Sequence, residues 1–202
     1  MEDEFYGLGI GDGSPDEDDP DAADSVGDDD EDDEEEEETT VSKLERSALL
    51  HYLDEKAGGT GSPSWFLIGK NVEDMSVELN PQMETYRNIL DEQGANDTGY
   101  EPSFDVDTYF ADPSDGDFYD WIKGIAMGRL TGDACKTTVL EVLIDKTTGP
   151  FDAWTEDVIV KPQSYGGAPG GVRIPYQVTF VGNRKPGTVT MSGRVPTFTA
   201  AT

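Results

Sequence analysis

The sequence predicts a mainly β protein: an antiparallel sandwich or barrel of two packed sheets with a flanking α-helix and a disordered acidic N-terminal tail. Three observations lead to this fold class. Apolar and polar residues alternate over residues 172–180, a pattern typical of a half-buried strand. About seven segments have strand-like patterns, whereas only one internal segment, residues 114–130, has a clear helical pattern. Finally, 21 of the 44 acidic residues lie in residues 1–38, a stretch without Lys or Arg.

Residues 1–40 form the predicted tail. An acidic run of low complexity cannot bury enough apolar surface to offset the chain entropy lost on folding, so we expect it to be disordered. Its one apolar island, residues 5–10, is a candidate docking motif. The rest of the chain holds 23 acidic and 14 basic residues. This acidic excess argues against tight binding of nucleic acid, because contacts with phosphates depend on Lys and Arg.

Residues 41–63 are interpreted as an arm and a linker. Ser42 and Glu45 fit a capping box at the start of a helix. The apolar residues that follow at helical spacing are Leu44, Ala48, Leu49, Tyr52 and Leu53. The pattern predicts a short amphipathic helix, or an arm that becomes ordered on a neighbour. Residues 57–63 are rich in glycine and predict a flexible joint, which places the β domain at residues 64–202.

The β domain is predicted to consist of short strands joined by turns. These strands cover residues 65–70, 72–79, 85–90, 104–110, 137–145, 155–161, 172–180 and 188–194. Residues 91–102 are polar and contain glycines, which predicts a long loop, and such loops often carry function. Residues 183–187 (NRKPG) predict a turn that joins the last two strands into a hairpin, around which the sheet is organised.

The predicted helix follows the fourth of these strands. Ser114 or Asp115 can cap its first turn, where the helix dipole also favours Asp117. Its apolar face carries Phe118, Trp121, Ile122 and Ile125, which have the spacing i, i+3, i+4 and i+7. Gly132 is expected to end the helix in a left-handed conformation. We expect this helix to cover one face or end of the sheet.

An acidic cluster is the first candidate for chemistry. It comprises Asp105, Asp107, Asp112, Asp115 and Asp117. Clustered oxygen ligands suit a hard cation such as Ca²⁺, but the spacing does not match an EF-hand loop. We therefore interpret these aspartates as a solvated strand face followed by helix caps, and we expect no metal site.

The residue types that carry catalysis form no coherent site in the sequence. Glycines at residues 7–13 and 165–171 resemble phosphate-binding loops, but neither stretch is followed by the required Lys and helix. Cys135 and His51 would act as nucleophile and base only if the fold brought them together, and nothing in their segments predicts this. We predict neither an enzyme nor a bound cofactor.

Cysteine usage and hydropathy bear on the compartment. A single cysteine, Cys135, excludes an internal disulfide and fits a reducing environment. No apolar run reaches the roughly 18 residues of a membrane span, so we expect a soluble protein made in the cytoplasm.

Arg184 and Lys185 form a small basic turn in an acidic protein. One interpretation is ordinary turn chemistry. The other is a contact with an acidic surface of an identical subunit, which would set the register between copies.

Several segments, taken in order, resemble one protein family. The first ones are SKLERSALLHYLD (42–54), SWFLIGK (64–70), EDMSVELNP (73–81) and NILD (88–91). The later ones are RLTGDACK (129–136), DAWTEDV (152–158) and KPQSYGG (161–167). Together they are similar to the major tail protein, or tail tube protein, of long-tailed bacteriophages and prophages of Gram-positive bacteria. The resemblance covers nearly all of residues 41–202 and includes no catalytic signature.

The resemblance implies a structural virion protein with a β-sandwich or barrel and a flanking helix. Copies of such proteins form hexameric rings, which stack into a tube through which the genome passes. The implied partners are further copies of the chain and other tail proteins, such as tape measure and terminator proteins; DNA passes without specific binding, and no membrane is involved. The implied location is the virion tail, and the host cytoplasm during assembly. Residues 91–102 and 41–63 are expected to stack the rings, whereas the acidic tail departs from the family pattern.

Other functions are compatible with the sequence. The tube of a contractile tail or a tail-like bacteriocin would share the fold and the assembly. A monomeric β-sandwich binding module, for example for carbohydrate, needs exposed aromatic residues, whereas Trp65, Trp121 and Trp154 are expected in the core. An acidic chaperone for a basic partner would act through residues 1–38. In a tube, an acidic bore would repel DNA phosphates, and the strand-face acids Asp105 and Asp107 are candidates to line it.

Overall fold

The computed structural model describes residues 43–56, 62–70 and 72–201, which form nine strands and one α-helix. The strands are β1 (Leu49–Asp54), β2 (Trp65–Ile68), β3 (Pro81–Arg87), β4 (Gln93–Tyr100), β5 (Ser103–Val106), β6 (Lys136–Leu143), β7 (Phe151–Pro162), β8 (Tyr176–Ser192) and β9 (Val195–Ala200). The helix, α1, covers Asp117–Gly128. The prediction of a mainly β fold with an α-helix is confirmed. The predicted disordered tail, residues 1–40, lies outside the described residues.

Seven of the strands form one curled antiparallel sheet. Its order is β2-β1-β6-β7-β8-β5. Strand β9 pairs with the same edge of β8 as β5 does: β5 pairs with the beginning of β8 and β9 with its end. Strands β3 and β4 form a second sheet of their own. The long strands β7 and β8 change register twice where they pair, and such bulges increase the local twist that lets a sheet curl.

The main sheet buries apolar side chains on both faces. Leu53 and Val139 are cross-strand partners that belong to the first core, and the next pair, Tyr52 and Leu140, belongs to the second. Successive residues of a strand point to opposite faces of the sheet, so the single register between β1 and β6 places one pair in each core. The first core includes Phe118, Ile122 and Ala126 from α1 together with Val158, Val160, Tyr176 and Val178 from the sheet. The second includes Val142, Phe151, Ala153 and Val189.

The helix predicted within residues 41–63 is wrong, because this segment contains strand β1 after a short 3-10 turn. β1 pairs with β2 on one side and β6 on the other, so it lies inside the main sheet and not in a separate arm. Residues 51–54 are all buried. A strand covered on both faces need not alternate, and its continuous apolar run fits a helix equally well. The domain boundary expected at residue 64 therefore cuts through the sheet.

The hairpin predicted from residues 172–180 and 188–194 is also wrong. Both segments belong largely to β8, a single strand that continues through the predicted turn at residues 183–187. Gly182 (φ +103°) and Asn183 (φ +60°) have the positive φ expected of a turn, but they lie where β8 changes register against β7. The predicted alternation is confirmed from Ile174 to Phe180, where Ile174, Tyr176, Val178 and Phe180 are buried, but Val172 at its start is 51% exposed. A turn after β8 leads to β9, a strand that the pattern missed.

Residues 91–102, predicted as a loop, contain strand β4, which pairs with β3. Its sequence QGANDTGY is rich in residue types that strands disfavour, so composition concealed it. Residues 72–79, predicted as a strand, form only an isolated bridge from Glu78 to Ser103. The strand expected at residues 85–90 begins earlier, as β3. The strands expected at 65–70, 104–110, 137–145 and 155–161 are present as β2, β5, β6 and β7 with shifted ends.

The internal helix is confirmed as α1, with different caps. The Asp112 carboxylate accepts a hydrogen bond from the Ser114 backbone N–H at 2.9 Å and so caps the 3-10 turn that precedes the helix. Arg129 (φ +50°), and not Gly132, is the left-handed residue that ends α1. Within the described ranges, no helix has both the length and the apolar character that crossing a membrane requires.

Candidate functional site

The β3–β4 hairpin is exposed along almost its whole length. Its two strands pair from Pro81 with Tyr100 to Arg87 with Gln93. Of its fifteen strand residues, all except Gln82, Gly94 and Gly99 are exposed. A two-stranded hairpin without further packing is marginally stable in water. This hairpin therefore gains little stability from the rest of its own chain.

The hairpin ends in a hydrogen-bonded turn, residues 87–92, called the hairpin tip below. The Asn88 side-chain oxygen accepts hydrogen bonds from two backbone N–H groups of the turn, at 2.9 and 3.0 Å. Asp91 has φ +64°, a conformation that aspartate tolerates better than most residues. Ile89 is 101% exposed and Leu90 is 73% exposed. The tip thus presents two aliphatic side chains to solvent on a shaped backbone.

Further apolar side chains are exposed along the hairpin and at its base. The complete set is Leu79, Met83, Tyr86, Ile89, Leu90 and Tyr100, each more than half exposed. Single exposed apolar residues are ordinary, but several on one element make the hairpin a candidate interaction surface.

A groove of about 790 Å³ lies at the base of the hairpin and is called the base groove below. Its apolar walls are formed by Leu49, Met75, Val77, Leu79, Tyr100 and Phe180. Leu79 precedes β3 and Tyr100 ends β4, so both lie at the base of the hairpin. The groove therefore opens beside the point where the hairpin leaves the main sheet.

A cluster of four polar residues, called the polar cluster below, also lines the groove. Arg184 contacts the carboxylates of Glu141 at 2.7 Å and Glu156 at 2.9 Å. His51 Nε2 lies 3.5 Å from Glu141 Oε1, too far for a good hydrogen bond. The guanidinium also lies 5.5 Å from the centre of the Trp154 ring, within cation–π range. The cluster therefore holds two buried carboxylates and one guanidinium against an aromatic wall.

Sheet register explains why this cluster forms. His51 on β1 is the cross-strand partner of Glu141 on β6, whose partner on β7 is Trp154. Glu156 follows two residues later on the same face of β7, where the register shift of β8 brings Arg184 beside it. The segments are distant in the chain, so no local sequence pattern indicated the cluster.

Electrostatics within the cluster favours the ionised carboxylate of Glu141. Burial alone would raise the pKa of Glu141, but the neighbouring His51 and Arg184 together outweigh this effect, and the pKa is lowered. His51 is 2% exposed, and neither ring nitrogen has a hydrogen-bond partner. Such a cluster stabilises charge and presents polar groups, but it contains no nucleophile with an adjacent base.

Arg46 adds a cation where the chain enters β1. Its guanidinium donates to the backbone carbonyls of Leu49 at 2.6 Å and Met75 at 3.0 Å. Among the residues that the structure describes, no carboxylate lies within salt-bridge distance of it. Arg46 is exposed and lines the base groove, so its charge is available at the rim.

The predicted acidic cluster is divided among three places. Asp105 lies on an exposed sheet face, and Asp107 follows the same strand. Asp112 and Asp115 both contact Lys70, at 3.1 and 3.4 Å. Hydrogen bonds from Ser114 and then the contact with Lys70 lower the pKa of Asp112 to about 2.

The remaining aspartate of that cluster, Asp117, begins α1. Within the described part of the chain, no group of three His, Cys, Asp or Glu side chains is arranged to hold a metal ion.

The other sequence-predicted candidates also separate in the fold. Cys135 is buried and its thiol donates to the Leu130 carbonyl. His51 is the cross-strand partner of Glu141, which lies six residues after Cys135. Six strand residues span about 20 Å, so Cys135 and His51 do not meet. The glycines of residues 165–171 form a loop before β8, as expected for a turn. The glycines of residues 7–13 lie outside the described residues.

Arg184 and Lys185 do not form the turn that the first interpretation expected, whereas a contact with an identical subunit stays a prediction. They lie within β8 and not in a hairpin turn. The acidic partners of Arg184 are Glu141 and Glu156 of its own chain. Lys185 is exposed.

Comparison with known proteins adds no relative. No protein-family model matches the chain, and a search of curated proteins finds no match.

Proposed function

We propose that the protein is a structural, self-assembling subunit: a major tail protein that forms the tail tube of a long-tailed bacteriophage or prophage. The observation that carries this proposal is the exposed β3–β4 hairpin with its apolar tip. In a monomer, an exposed apolar element favours aggregation. In an assembly, another copy covers the element and its burial stabilises the contact. The geometry alone supports self-association. That the assembly is a tail tube rests on the sequence resemblance.

Sheet edges support assembly into a closed ring. The outer edge of β2 has no strand partner among the described residues. On the opposite side, β5 and β9 cover only the ends of β8, which leaves its residues 181–185 without a strand on that edge among the described residues. Unpaired edges recruit other strands, and closure of a ring removes them. In this proposal six copies form each ring through such contacts, and the hairpins join one ring to the next.

The exposed sheet face around Asp105 is a candidate wall of the bore. Asp105 is the cross-strand partner of Gln177, which in turn pairs with Lys161. This face is therefore of mixed charge and not uniformly acidic, and it carries no cluster of basic residues that would hold DNA phosphates. A DNA molecule would pass over such a face without specific binding. Tape measure and terminator proteins are the further partners proposed, and the virion tail, reached from the host cytoplasm, is the proposed location.

A virion carrying Asp105→Asn and Asp107→Asn tests this wall. If these residues line the bore, the tube should assemble normally, and genome ejection should slow because repulsion of the phosphates is weaker. Ejection can be timed by dye release from filled particles. Unchanged ejection would place both residues elsewhere.

The tryptophans argue against a monomeric carbohydrate-binding module. Trp65 packs against the second core, and Trp121 packs against the first while its indole N–H donates to the Ala134 carbonyl. Trp154 lies against Arg184. None of the three is exposed, so they form no open aromatic platform. The tube of a contractile tail or tail-like bacteriocin shares the proposed assembly, and a neighbouring sheath gene would distinguish it.

The experiment that tests the proposal is the assembly state of the purified full chain. Light scattering over a concentration series and negative-stain microscopy should detect rings or stacked tubes. A strict monomer at the highest soluble concentration would overturn the proposal.

A further inference from the structure

We propose that the hairpin tip of one copy inserts into the base groove of a second copy, with its acidic residues beside Arg46. This inference rests on the self-assembly proposed above and names the two surfaces that meet. Three features of the described residues carry it: reach, shape and charge.

The tip cannot occupy the groove of its own chain. Leu79 and Tyr100, at the base of the hairpin, line that groove. The strands β3 and β4 run side by side from the base to the tip, with the pair Arg87 and Gln93 at the far end. Seven strand residues span about 23 Å, so the hairpin holds its tip well away from its own groove. A hairpin tip that fills this groove therefore comes from a second copy.

Size and polarity of the groove suit the tip. Pockets of roughly 300–1,000 Å³ hold ligands of the size of a short peptide turn, and this groove is about 790 Å³. Its apolar walls match the aliphatic side chains of Ile89 and Leu90, which are exposed at the tip. Insertion would bury the tip, Leu79 and Tyr100 together, so the exposed apolar residues at both ends of the hairpin are covered by one contact.

The charges of the two surfaces are complementary. The tip carries Asp91 and Glu92 against one cation, Arg87, whose contact with Asp91 is a long 3.6 Å and solvent exposed. The groove rim offers Arg46, which has only backbone carbonyls as partners among the described residues. Opposite charges at a rim fix orientation and suppress wrong contacts.

Tip and groove are different surfaces, so the contact is heterologous. Every copy that donates a tip still has a free groove, and every copy that receives one still has a free tip. Such contacts propagate from copy to copy and give open arrays unless a rotation closes them. This is the connectivity that stacked rings require.

Charge exchange tests the inference. Arg46→Glu and Glu92→Lys, each alone, bring like charges together and should raise the concentration needed for assembly roughly tenfold or more. An equal mixture of the two variants should assemble near the wild-type concentration, because each tip then meets a groove of opposite charge. Glu84→Lys, the same charge change on the exposed side of β3, is the matched control and should leave assembly unchanged. No recovery in the mixture, or an equal defect in the control, would overturn the inference.

A covalent test covers the case in which Arg46→Glu fails to fold. Leu79→Cys combined with Ile89→Cys places one thiol on the groove and one on the tip, too far apart to react within a chain. Under a mild oxidant this variant should form a ladder of covalent oligomers, whereas Ile89→Cys with Thr197→Cys, a position on β9, should form at most dimers. Equal products from both variants would overturn the inference.

The assembly state of the wild-type chain distinguishes the two proposals. If a test overturns the inference but the wild-type chain still assembles, the proposed function stands and only the tip-in-groove contact fails. A wild-type chain that stays monomeric would overturn both.

Discussion

The β7–β8 pair and the β3–β4 hairpin are both antiparallel strand pairs, but their side chains have opposite environments. Alternate residues of β7 and β8 reach one of the two cores, and Val158, Val160, Val178 and Val189 are fully buried. In the hairpin, by contrast, large apolar side chains such as Met83 and Tyr86 face solvent. The difference indicates that the main sheet supplies the stability of the fold, whereas the hairpin is the surface that the proposed assembly would use. Substitutions in the two regions should therefore affect different measurements.

The largest expected effect on folding is at the start of β8. Tyr176 is 1% exposed and lies in the first core, so Tyr176→Ala should lower the free energy of unfolding by about 3–5 kcal/mol. Tyr86 on the hairpin is 53% exposed, and Tyr86→Ala should cost less than about 1 kcal/mol. Denaturant titration measures both. Similar losses for the two tyrosines would contradict the contrast between the regions.

The register shift of β8 is the next point to test. Gly182 has φ +103° and open space where a Cβ would lie, so Gly182→Ala isolates backbone strain and should cost about 1–3 kcal/mol. Gly124 in α1 also has open space but ordinary helical backbone, and Gly124→Ala should stabilise by about 0.5–1 kcal/mol. Thermal unfolding compares the two, and a neutral Gly182→Ala would show that the positive φ is not required.

The polar cluster predicts a dependence of stability on pH. The folded-state pKa of Glu141 lies below its ordinary value of 4.5, so its contribution to stability is complete above that value and is lost as the pH falls through the folded pKa. The free energy of unfolding should therefore decrease as the pH is lowered from about 5 towards 3. Glu141→Gln should flatten this dependence relative to the wild type. An unchanged slope in the variant would assign the acid sensitivity to other carboxylates.

The hairpin tip should show the smallest effect on folding. Ile89→Ser with Leu90→Ser should change the free energy of unfolding by no more than about 0.5 kcal/mol, because both side chains already face solvent. A larger loss, measured at a concentration below that of assembly, would mean that the tip packs on its own chain.

Some elements were predictable because their signals are local. Alternation marked Ile174, Tyr176 and Val178 as core residues, and helical spacing found α1. β1 was missed because burial on both faces removes the alternation that distinguishes a strand from a helix. β4 was missed because pairing with β3, and not residue propensity, forms it.

The candidate site was beyond sequence reasoning for a related reason. His51, Glu141, Glu156 and Arg184 meet through the register of four strands, and their separations in the chain give no spacing to recognise. The sequence did single out residues 91–102 as a candidate functional segment, although as a loop. The structure places most of them in the exposed hairpin instead.

The assembly state of the wild-type chain and of the Ile89→Ser, Leu90→Ser variant tests the central claim most directly. Light scattering with negative-stain microscopy at matched concentrations should find rings or tubes for the wild type and monomers or isolated rings for the variant, with equal unfolding curves for the two. A wild-type chain that stays monomeric, or a variant that forms tubes as readily as the wild type, would contradict the account.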